Sequence, residues 1–168
     1  MRAKTLFLTS VFLLSTYFLF AQTFVVPIDF SFKSKEDYAK YEKDIIDAAK
    51  WLEATPVGKE ENTRQKASAF LMTWLTGSPT VTITLSKFEL DLVQDNPQLL
   101  MMFMAGYAKY VLENSYSKDR LKATVAGVKS MINLYNLGGD FKKNKTLKKA
   151  LEKDAEGKLE EWISEKVR

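Results

Sequence analysis

From Asn96-Pro97 to Asn114 the chain is apolar on almost every side. Leu99, Leu100, Met101, Met102, Phe103, Met104, Tyr107, Tyr110, Val111 and Leu112 crowd one run that opens with an N-cap residue followed by proline. Only a helix enclosed by other elements keeps such a run out of water, so the sequence predicts a helix from Pro97 to Asn114 at the centre of the domain. Gly106 inside it weakens helix propensity by up to ~1 kcal/mol relative to Ala, which predicts the close approach of a neighbouring helix.

The surrounding helices are marked by their own caps and stops. Ser34 and Asp37 have capping-box spacing, and Tyr38, Tyr41, Ile45, Ala48 and Leu52 then recur at helical intervals until Thr55-Pro56-Val57-Gly58, predicting a helix over 35–54. A second is predicted to start after Asn62 and run to about Thr76, with Ala67, Phe70, Leu71, Trp74 and Leu75 inward and Gly77-Ser78-Pro79 as its end. Ser117 is placed to cap a third, whose inner stripe is Leu121, Val125, Val128, Ile132 and Tyr135 and whose stop is Gly138-Gly139. The last is predicted over 146–167, carrying Leu147, Leu151, Ala155, Leu159 and Trp162 or Ile163 inward, with an interruption at Gly157. Phe24 to Phe32, with Pro27 inside it, reads as an extended lead-in.

Thr80 to Leu85 alternates strictly, with Val81, Ile83 and Leu85 on one side and three Thr on the other, and is the strongest β signal in the chain. No partner strand is evident. A hairpin turning at Ser86-Lys87 lacks the Gly or Asn that tight hairpins prefer, whereas Ser86 and Glu89 have capping-box spacing. An extended connector followed by a short helix from Lys87 to Gln94 is therefore favoured over the hairpin. The expected fold is all-α, a compact single-domain bundle of about five helices with one short extended segment near 80–85.

The first residues have the layout of a secretory signal peptide: Arg2 and Lys4, an uncharged apolar run from Leu6 to Phe20, and the small Ala21 before Gln22. The expected organisation is a signal peptide at 1–21 and a helical domain at 22–168, secreted to the periplasm or cell exterior, with no transmembrane segment after cleavage. A lipoprotein anchor is excluded, because no Cys follows the apolar run. Residues 22–168 should bury roughly two-thirds of the surface their unfolded chain exposes, enough for one core without disulfides or metal. The sequon Asn144-Lys145-Thr146 reads as a chance match in a bacterial protein.

The formal charge of +4 falls to +2 once Arg2 and Lys4 are set aside, which argues against nucleic acid as a partner. The chain has no His and no Cys, so imidazole bases, thiolate nucleophiles and zinc sites built on either are excluded. Carboxylates, Lys, Tyr and Ser/Thr remain.

The run Phe70-Leu71-x-x-Trp74-Leu75-x-x-Ser78-Pro79-x-Val81-x-Ile83-x-Leu85 is followed by Asn96-Pro97-x-Leu99-Leu100-x-x-Phe103-x-x-Gly106-x-x-x-Tyr110-x-Leu112-Glu113-Asn114. With the closing Gly157-Lys158-Leu159-Glu160-Glu161-Trp162, it resembles a family of small exported helical proteins of Gram-negative bacteria that carries no assigned activity. The resemblance implies export and a helical fold, and it transfers no catalytic residue.

Three surfaces are candidate sites. Glu89, Asp91 and Asp95 are the densest acidic cluster; Leu92 and Val93 interrupt any calcium-loop pattern, and the cluster reads as solvated helix surface, with a glycosidase pair as the alternative. Met101, Met102 and Met104, with Phe103 and Tyr107, read as core, or as a pliable pocket for an apolar ligand. Lys142, Lys143, Lys145, Lys148, Lys149 and Lys153 form the one local charge block, either a solvated helix face or a surface for anionic glycolipid or polysaccharide.

The expected function is that of a binding or interaction protein of the cell envelope. Its alternatives are an envelope hydrolase using Asp or Glu and a carrier of a small apolar ligand. The expected binding residues are Trp51, Trp74, Met101, Met104 and Tyr107, with Trp162 as a further aromatic anchor. No catalytic residue, metal site or cofactor is expected, and the partner is another envelope protein or a small apolar molecule.

Overall fold

Ser34 caps the first helix as its spacing predicts: its hydroxyl accepts from the Asp37 amide at 3.3 Å, and the Asp37 carboxylate accepts from the Lys33 and Ser34 amides at 2.9 Å. In the computed structural model, which describes residues 24–167, eight helices follow in order. They are α1 (Lys35–Lys40), α2 (Glu42–Ala54), α3 (Glu61–Gly77), α4 (Lys87–Val93), α5 (Pro97–Glu113), α6 (Arg120–Asn136), α7 (Lys145–Ala155) and α8 (Leu159–Ser164). The signal peptide expected at 1–21 lies outside the described residues. No helix among the described residues is long and apolar enough to cross a membrane.

The all-helical class holds, and the count of about five is corrected to eight: two long helices are broken, and the short α4 between α3 and α5 adds one more. The first break is at Tyr41, whose backbone leaves helical geometry at φ −100° and ψ 4° while its ring stands edge-on to Phe32 and Phe70. The second is at Gly157, which takes φ +69°, a conformation that glycine adopts without strain. There the amides of Gly157 and Lys158 donate to the carbonyls of Asp154 and Lys153, a Schellman stop rather than a kink.

The short extended segment is not found as a strand. Thr80–Leu85 has no helix or strand, and its alternation is spent on packing, with Val81 buried, Ile83 and Leu85 partly buried, and Thr82 and Thr84 exposed. A strand needs a neighbouring backbone for its ladder, and no described residue supplies one here.

The central position of α5 follows from its sequence: Leu99, Met102, Phe103, Ala105, Gly106, Tyr107, Ala108 and Val111 are all buried. It packs chiefly on α6 and then on α2. Two glycines bring α5 and α6 together, because a β-carbon on Gly106 would lie 2.6 Å from Ser130 Cβ and 2.9 Å from the Ala126 carbonyl. On the other helix, a β-carbon on Gly127 would meet the Phe103 carbonyl at 2.7 Å. Arg64 of α3, almost fully buried, donates to the Leu52 carbonyl at 3.2 Å and to that of Thr55, satisfying acceptors that the end of α2 leaves open.

Candidate functional site

Two asparagines remote in sequence tie together the elements around one surface groove. Asn96 was expected to cap α5 through its side chain, and it does not: its Oδ1 accepts from the Lys142 amide at 2.8 Å and its Nδ2 donates to the Gln94 and Lys142 carbonyls at 2.9 and 3.3 Å. Asn144 caps α7 by accepting from the amides of Thr146 and Leu147, and its Nδ2 donates to the Asp91 and Leu92 carbonyls at the end of α4. The start of α7 is thus clamped onto α4, and after the Gly157 stop α8 packs on α6 and α7 and meets α4 through Trp162 and Phe88.

Between these helices and the C-terminal turn lies an open groove of about 500 Å³, lined by Lys87, Phe88, Asp91, Lys145, Thr146, Lys149, Trp162 and Lys166. Phe88 and Trp162 meet edge to face, with ring centroids 5.3 Å apart, and form its aromatic wall. Lys87 is paired with Asp91 at 2.7 Å and Lys149 with Glu152 at 3.1 Å. Among the described residues, Lys145 and Lys166 have no carboxylate within 4.0 Å, so the groove carries uncompensated positive charge.

A second groove, of about 360 Å³, is lined by Lys50, Glu53, Ala54, Lys109, Asn133 and Leu137. At its base the Glu53 carboxylate accepts from Lys109 Nζ at 2.6 Å, Asn133 Nδ2 at 2.5 Å and Ser130 Oγ at 2.9 Å, joining α2, α5 and α6. Burial pushes the Glu53 carboxyl up, but the Lys109 and Asn133 hydrogen bonds, the Lys109 charge and the Ser130 bond outweigh it and hold the pKa below its ordinary value. A carboxylate with three donors and a depressed pKa stays ionised and is a poor general acid. Ser130 is almost fully buried, so its hydroxyl serves this cluster and not a substrate.

The acidic cluster read as solvated surface is dispersed. Asp95 is exposed and Asp91 partly so, but Glu89 is buried at 1% exposure and corrects that reading. Its carboxylate completes the α4 capping box by accepting from the Ser86 amide at 2.8 Å, and its other oxygen faces Arg120 at 3.4 Å. Tyr107 sits at 8% exposure beside this pair, and burial pushes its phenol up.

The expected binding residues do not form one surface. Trp74 is 0% exposed, its indole N–H donating to the Tyr38 carbonyl at 3.0 Å, which leaves no free face for a partner. Trp51 is partly covered by Phe24, and Met101 and Met104 are partly buried against the core; none of them lines either groove. Of the three tryptophans, Trp162 lines the first of these two grooves and Trp51 and Trp74 line neither. Lys145 and Lys149 were visible as part of the lysine block, but Lys87, Phe88 and Lys166 carry no local signal that would have joined them to it. Comparison with protein-family models, curated proteins and solved structures finds no match.

Proposed function

We propose that the protein is an exported binding protein of the cell envelope, acting through the groove between α4, α7 and α8 and not through acid–base chemistry. The observation that carries this reading is the meeting of an aromatic wall, Phe88 and Trp162, with four lysines of which two have no described carboxylate partner. Grooves that combine apolar surface with a few convergent charged groups are built to orient a ligand. The Glu53 carboxylate is meanwhile engaged by three donors, which weakens the hydrolase reading.

Co-sedimentation of the purified protein with isolated Gram-negative envelopes, at low and high salt, tests the proposal. Association that weakens with salt, and is lost in Lys145→Glu but kept in Glu53→Gln, is the expected result. Envelope association unaffected by Lys145→Glu would reject the groove as the functional surface.

A further inference from the structure

We propose, resting on that reading, that the groove takes an acidic oligosaccharide. Four lysines against the single carboxylate Asp91 give its lining an excess of positive charge, and Lys145 and Lys166 supply ammonium groups with no described partner to give up. Bonds from an ammonium to a carboxylate or sulfate are the strong members of their class. Charge alone would suit any polyanion. The wall argues for more: Trp162, half-buried beside the buried Phe88, contributes part of an indole with one polar N–H, chemistry that suits a sugar ring with an apolar C–H face and a polar rim. Thr146 adds a hydroxyl to the lining, and Asp91, whose two oxygens accept from Lys87, adds a carboxylate with lone pairs left over, groups of the kind that sugar hydroxyls engage. The groove is open and about 500 Å³, a volume that fits a few sugar rings lying along it and not an enclosed apolar guest.

Titration calorimetry of the full protein separates these contributions. Hexagalacturonate and a heparin hexasaccharide serve as acidic probes, maltohexaose as the neutral sugar, and hexametaphosphate as charge without a ring. At least one acidic sugar should bind about tenfold or more tighter than maltohexaose and lose that advantage in the Lys145→Gln/Lys166→Gln double variant. Trp162→Ala should weaken the acidic sugar and leave hexametaphosphate unchanged. If Trp162→Ala fails to fold, the lysine variants, whose side chains are exposed, decide the matter with the four probes alone.

Equal binding of maltohexaose would overturn the requirement for charge, and hexametaphosphate binding as tightly as the acidic sugars would overturn the requirement for a ring. If neither acidic sugar binds while envelope association still depends on Lys145, the ligand class is wrong and the binding function stands. Loss of both rejects the two readings together.

Discussion

Gly127 lies so close to Phe103 that a methyl group on it would stand 2.7 Å from the Phe103 carbonyl oxygen and 2.8 Å from its ring. The obstacle is partly backbone, so α5 itself would have to move. Gly127→Ala should therefore destabilise the protein by about 1–3 kcal/mol, the usual cost of overpacking, although Ala favours the helix by up to ~1 kcal/mol. Urea unfolding checks this, and a more stable variant would mean that α5 and α6 are not held at this distance.

Phe103 is 1% exposed at the same contact. Its replacement by Ala should cost about 3–5 kcal/mol, whereas Lys149→Ala, on an exposed face, should stay within about 0.5 kcal/mol. Equal, small losses in urea unfolding would show that α5 is not the centre of the domain.

The clamp at α7 predicts a local effect. Asn144→Ala removes a cap worth about 0.5–2 kcal/mol and strips the Asp91 and Leu92 carbonyls of a donor. Hydrogen exchange should quicken in α7 and at the end of α4 before it does in α5 and α6. Uniform acceleration throughout the molecule would contradict a separable clamp.

Acid should act through Glu53. Its folded pKa lies below the ordinary value of 4.5, so the stability it contributes is present above that value and is lost as pH falls through the folded pKa. The stability gap between the native protein and Glu53→Gln, measured by urea unfolding at a series of pH values, should shrink steadily below about pH 4.5. A gap that does not change with pH would mean that the three donors do not favour the ionised form.

What could be read from the sequence was local. Ser34 with Asp37 and Ser86 with Glu89 place their capping boxes within three residues, and both form. Gly106 in an apolar helix pointed to a close neighbour because the cost of glycine there demands a reason, and Ser130 and Ala126 supply it. The helix breaks were harder to see. Tyr41 looks like any inward aromatic until Phe70, 29 residues on, and Phe32 both stand edge-on to its ring. The groove was illegible for the same reason. Asn96 and Asn144 have the local pattern of helix caps, yet their side chains reach backbone 46 to 53 residues away and thereby bring Lys87 to Lys145. Glu89 looked like surface because its spacing reveals the cap and not Arg120, 31 residues on.

Thr80–Leu85 is held in single file by its own side chains, with Val81 sunk into the core and no second backbone alongside among the described residues. The same six residues have neither charge, proline nor glycine and are rich in β-branched side chains, the composition of segments that stack into cross-β fibrils. The helical core thus also acts as a sheath. Loosening the contact of Val81 would expose a segment of this composition, the kind that pairs edge to edge once uncovered.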